Sequence, residues 1–112
     1  MTTLRSIGFG GIALAAALAA ATPDAEAKKA RCFTSDDGAY PCEFKTIDGD
    51  GSFEITAPGH PGYQLVLEPA GFAFGYANFG DRWVSLPGHF DRATDDRACW
   101  DNSETSVRIC AW

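Results

Sequence analysis

Two histidines, His60 and His89, each follow a Pro-Gly pair, and a turn histidine beside a carboxylate has the makings of a general base. Asp48 and Asp50 alternate with Gly49 and Gly51, a spacing that invites a cation. Asp48, Asp50, His60 and His89 are therefore the metal candidates. The acidic turn fails the EF-hand pattern, because placing Gly51 at the obligatory glycine puts Thr46 first and Ala57 where a bidentate glutamate belongs. Solvated aspartates in a glycine-rich turn, and histidines exposed in turns, are the plainer readings. Asp91, Asp95 and Asp96 form a second acidic cluster, with Arg92 and Arg97 beside it for local pairing. There is no Gly-x-Ser-x-Gly elbow and no His-Glu-x-x-His, so no residue is assigned a catalytic role and no cofactor is expected.

Aromatic side chains offer a different chemistry, a platform for a glycan, a peptide or a protein. Trp83, Tyr76 and Trp100 are the binding candidates. Gly71 to Leu86 reads as a β-hairpin with its turn near Asn78–Asp81. Phe72, Phe74 and Tyr76 fall on one face at period two, with Ala73, Gly75 and Ala77 on the other. The thick face is expected to supply much of the core, since each ring removes roughly 150–250 Å² from water. The bare face is expected to let another backbone or a ligand approach. Trp83 and Ser85 alternate with Arg82, Val84 and Leu86, which puts Trp83 outside the main core.

The elements that must position these residues are short and extended. From Arg31 onward no stretch keeps a helical period, and turn residues interrupt the chain repeatedly. Arg31–Thr34 is expected to pair with Ala39–Thr46 across Asp37-Gly38. Phe53 and Ile55 point inward from the next strand. Tyr63, Leu65 and Leu67 share one face of another, after the break at Pro58–Gly62. Asp91–Ala98 is an exposed loop or a single helical turn capped by Thr94. Cys99-Trp100 and Ser106–Trp112 form the last hairpin. The expected fold is an all-β, antiparallel sandwich or partly open barrel of roughly six to eight short strands. Two segments echo each other, Ser52–His60 and Asp81–His89, each a strand followed by Pro-Gly-His.

Four cysteines, Cys32, Cys42, Cys99 and Cys110, lie beyond an apparent secretory leader, and an even count in that context reads as disulfides. Three connectivities are possible, and Cys32–Cys42 with Cys99–Cys110 is the favoured one because each pair brackets a turn near its midpoint. Each bridge should contribute roughly 2–3 kcal/mol in the chain-entropy picture. The leader has Arg5 at its basic start, an apolar run from Ile7 to Ala21 and a small-x-small site at Ala25–Ala27. The expected division is residues 1–27 as signal peptide and 28–112 as one domain, without a membrane span after cleavage. Losing Arg5, Asp24 and Glu26 leaves eight basic and thirteen acidic side chains, a net charge of −5. With the basic residues scattered, nucleic acid is not an expected partner.

The plan of a leader followed by a small β domain with disulfide-closed terminal hairpins resembles that of bacterial periplasmic inhibitors of c-type lysozyme, in size, compartment and strand number. That likeness is one of general plan and carries no function; the small size, the lack of a catalytic constellation and the surplus of aromatics point to binding. The expectation is a monomeric secreted or periplasmic binding protein for a protein or an envelope glycan. A small metal- or histidine-dependent hydrolase, and a structural envelope protein without a soluble ligand, are the alternatives.

Overall fold

The computed structural model describes residues 27–112. The expected leader lies outside the described residues except for Ala27. Within them the chain forms β1 (Lys28–Thr34), β2 (Gly38–Thr46), β3 (Phe53–Thr56), β4 (Gly62–Leu67), β5 (Ala73–Asn78), β6 (Trp83–Ser85), β7 (Phe90–Arg92), β8 (Cys99–Asn102) and β9 (Arg108–Ala111). All pairings are antiparallel. Eight strands run in the order β4-β3-β2-β1-β9-β8-β7-β5, and β5 pairs back onto β4, which closes them into a barrel. β6 is the strand added to that ring.

β6 and β7 share one edge of β5. Asn78 opposes Trp83 and Tyr76 opposes Ser85, and Leu86 then donates its N–H to the Gly75 carbonyl. Further along, Ala73 opposes Phe90. The register has slipped by two residues between these contacts, and Pro87-Gly88-His89 takes up the slack as a bulge. Proline suits that position because it has no N–H to leave unpaired.

Strand direction sorts the connections into two ends. The upper end carries the turns after β1, β3, β5 and β8; the lower end carries those after β2, β4 and β7. Both ends of the domain also lie low. Arg31 and Trp112 exchange backbone hydrogen bonds there, at 3.2 and 2.8 Å.

Period two locates the two faces of β5, but their assignment is the reverse of the expected one. Ala73 and Ala77 are fully buried, whereas Phe74 is 40% exposed and Phe72 and Tyr76 are half-buried. Closure is the reason. An eight-stranded barrel has an interior just wide enough for side chains to fill it. Here Phe90, Leu65, Ile55, Tyr63, Trp100 and Ile109 fill it. A Cβ on Gly75 would run into the Phe90 ring, so β5 is left only small inward side chains. The bare face is indeed approached closely, by a core ring. Phe53, Ile55, Tyr63 and Leu65 point inward as their alternation indicates.

Both disulfides form with the expected pairing. Cys32–Cys42 runs diagonally, Cys32 facing Tyr40 in the register, and belongs to the barrel core. Cys99 and Cys110 face each other directly, and their bridge packs with Ala93 and Phe33 in a second small cluster. Two bridges are the bonding expected of an oxidising compartment.

Of the two readings of Asp91–Ala98, the exposed loop holds for most of the segment. Its first two residues belong to β7, and the remainder is a loop rather than a helical turn. Its acids are not paired with Arg92 or Arg97. Asp95 instead receives two hydrogen bonds from Arg108, at 3.1 and 3.0 Å, and Asp96 accepts one from Trp112 Nε1. Arg92 stands over the Trp100 ring, 4.3 Å from its centroid, and its guanidinium donates to the Arg97 carbonyl. The cation–π contact and the bond to the Arg97 carbonyl engage its guanidinium in place of an ion pair.

Candidate binding groove and barrel mouth

Near the upper rim, Thr56, Gly62, Asn78 and Trp83 form a row across the outer face of β3, β4, β5 and β6. The Trp83 ring reaches across Asn78 to lie on Gly62. A Cβ there would sit 3.2 Å from the ring's Cη2, so glycine is what lets the indole lie flat on the sheet. Asn78 Oδ1 accepts the Gly80 N–H at 2.8 Å, which fixes the following turn. That turn holds out Phe79, 68% exposed, while Trp83 is 37% exposed. Together with His60 and Pro61 from the β3–β4 loop, these residues enclose an open groove of about 520 Å³.

His60 is held on two sides. Its Nδ1 lies 2.9 Å from Asp37 Oδ2, and its ring stacks on Tyr40 with 4.0 Å between centroids and 3° between planes. Burial, then the neighbouring Tyr63 and the charge of Asp37, pushes the Tyr40 hydroxyl up to about 12. A histidine oriented by an aspartate is competent as a base. Among the described residues, however, no hydroxyl or thiol hydrogen-bonds to His60. His89 sits elsewhere, between β6 and β7. Its Nε2 is 3.4 Å from Asp91, its Nδ1 is 3.4 Å from Ser103 Oγ, and its ring leans on Phe72.

The other metal candidates lie at the opposite end. Asp48 Oδ1 accepts the N–H groups of Asp50, at 2.8 Å, and Ser52, at 3.2 Å, and so closes its own turn. Hydrogen bonds from Ser52 and the Asp50 backbone hold its carboxyl below the usual aspartate range. Asp48 and Asp50, in the lower β2–β3 turn, are thus separated by the length of the barrel from His60 in the upper β3–β4 loop. Among the described residues no three His, Cys, Asp or Glu side chains gather into a metal-holding group.

Of the binding candidates, Trp83 forms a wall of the groove. Tyr76 lies one row below on the same outer face, beside Gln64 and Ser85. Trp100 is only 3% exposed, packed in the core under Arg92, so it serves the fold and offers no surface. Its place opposite Ile109 makes it an inward residue.

A second concavity opens at the top of the barrel itself, lined by Asp36, Tyr63, Phe79, Leu86 and Val107 among others. Phe79 stands between this mouth and the outer groove and borders both. Asp37, Phe79 and Gly62 are legible in the sequence only as turn or strand residues. Nothing local marks the 23-residue separation across which His60 meets Asp37. No protein-family model, curated protein or solved structure matches this chain.

Proposed function

We propose that this chain is a secreted or periplasmic, non-catalytic binding protein that holds a protein or cell-envelope partner across the upper groove. The observation that carries this reading is the pair Trp83 and Phe79. Both are large and exposed, and they flank a concave surface built on a closed, disulfide-bridged barrel. Exposed aromatics on a rigid scaffold bury much surface with little loss of conformational freedom, which is why they dominate binding hot spots. The leader read from residues 1–27 and the two disulfides support the compartment.

The test is a thermal-shift and affinity panel on the oxidised protein, using c-type lysozyme and cell-wall glycan fragments as probes. The expected result is that at least one probe raises the melting midpoint. Trp83→Ala should then weaken that probe at least tenfold, about 1.4 kcal/mol, with the fold retained. Unchanged affinity in the variant would rule out this surface. A protein inert to every probe would instead support the structural envelope reading.

A second reading, a histidine-based hydrolase, draws on one arrangement. Ser103, His89 and Asp91 stand in the order of nucleophile, base and orienting acid, although both contacts are long for hydrogen bonds. Covalent labelling of Ser103 by a fluorophosphonate, lost in His89→Ala, is the result this reading requires. An unlabelled serine sinks it.

A further inference from the structure

The barrel mouth has a chemistry that the outer groove lacks. Tyr63 lines it and is only 6% exposed, yet its hydroxyl has no hydrogen-bond partner among the described residues. Buried hydroxyls are nearly always partnered, so an open one at a concave surface points to a ligand atom. Asp36, on the β1–β2 turn, lines the same mouth and forms no ion pair or side-chain hydrogen bond among the described residues. The other polar groups there are engaged. Asn102 donates to the Pro87 carbonyl and accepts from the N–H groups of Glu104 and Thr105, and the Thr105 hydroxyl accepts from Val107 N–H. Two acceptors therefore stand open, a phenol oxygen and a carboxylate, above walls made by Leu86, Val107 and Phe79.

These groups define their complement. An occupant that meets both oxygens and the apolar walls best donates hydrogen bonds, carries positive charge opposite Asp36 and brings an aliphatic stem. Burial, then the charges of Asp36 and Asp37, pushes the Tyr63 hydroxyl's pKa up. Burial would disfavour a cation as it does a tyrosinate, but the charges of Asp36 and Asp37 attract one. A planar guanidinium brings five donors in a fixed fork and an ammonium three, and only two open acceptors stand here to meet them, which suits the ammonium better. The domain beyond the leader is acidic, at a net −5, which would draw a basic partner in.

We infer that the barrel mouth is a lysine pocket, receiving a lysine side chain presented by a basic partner protein, with the ammonium donating to Tyr63 Oη and Asp36 and the stem lying on Leu86 and Val107. This rests on the binding reading above and specifies the partner's chemistry. Phe79, shared by mouth and groove, lets one partner cover both.

The test uses the oxidised full domain and N-acetylated, C-amidated tetrapeptides of lysine, arginine and norleucine, followed by NMR. The lysine peptide should produce saturable shifts centred on Tyr63 and the Leu86 and Val107 methyls. Asp36→Asn and Tyr63→Phe should each raise its dissociation constant at least fivefold while leaving the melting midpoint within a few degrees. The arginine peptide should bind more weakly and the norleucine peptide not at all. Shifts spread evenly over Asp48, Asp91 and the other acids would overturn the pocket, as would indifference to Asp36→Asn or equal binding of arginine. The two readings fail separately. If Trp83→Ala releases a captured partner but Asp36→Asn does not weaken it, the groove stands and the pocket falls. If the lysine shifts persist while no partner depends on Trp83, the pocket stands and the groove reading falls.

Discussion

The two ends of this barrel use the same residue types for opposite purposes. At the lower end, polar side chains close on their own chain. Asp48 caps the β2–β3 turn, Ser52 Oγ accepts the Leu67 N–H at 2.8 Å, and Asp96 accepts from both Ala98 N–H and Trp112 Nε1. At the upper end, Asp36 and the Tyr63 hydroxyl stay open, and Phe79 and Trp83 face outward. Asp48 below is a fastening, whereas Asp36 above is an unmet charge. The difference teaches that composition does not locate function here. What locates it is whether each polar group already has a partner, because loops carry recognition only when the scaffold beneath them is satisfied.

The largest effect that would break this contrast lies below. Ser52 is fully buried, and Ser52→Ala leaves the Leu67 N–H without its acceptor, at a cost of about 1–3 kcal/mol. For a domain of this size, each kcal/mol lowers the melting midpoint by roughly 4–8 °C. Calorimetry should record that fall, while any probe bound at the upper end keeps its affinity in the folded fraction. A loss of affinity matching the loss of stability would mean that the two ends are not separable.

A smaller effect lies above and is set by pH. Tyr40 titrates near 12 in the folded chain and near 10 when unfolded. Its folded pKa is raised, so the contribution to stability is full below pH 10 and is lost as pH rises from 10 through 12, by at most about 2 kcal/mol. The raised hydroxyl of Tyr63 acts in the same direction. Urea unfolding between pH 8 and 11.5 should show a decline confined to the alkaline side, accompanied by tyrosinate absorbance. A flat profile would place both phenols in contact with water and weaken the case for an open buried hydroxyl.

Much of this architecture is legible in the sequence because it is local. Asp37-Gly38, Asp48–Gly51, Pro58–Gly62 and Asn78–Asp81 mark turns that the structure contains, and the alternations at Phe53–Ile55 and Tyr63–Leu65 give the inward faces. The turns bracketed by the cysteines favour one of three possible pairings, and that pairing is the one that forms. What the sequence does not disclose is closure. Alternation separates Phe72, Phe74 and Tyr76 from Ala73, Gly75 and Ala77 but carries no sign for inside and outside. That sign came from Phe90, whose ring occupies the space over Gly75 from another strand. The upper site was half visible. Trp83 could be placed outside by its neighbours on the strand, whereas Trp100 looked equally available until its register with Ile109 buried it. Asp36 and Tyr63 meet only through the barrel, and no motif spans them.

The backbone bonds between Arg31 and Trp112 have a practical corollary. Lys28 and Trp112 both leave the domain on the side away from the mouth, so a tether at either one would hold the barrel with its lysine pocket facing outward. Fusion, surface immobilisation or joining the two tails into a circle should all leave recognition untouched. Opening the ring at the Phe79 turn instead would cut the one segment that the groove and the mouth have in common.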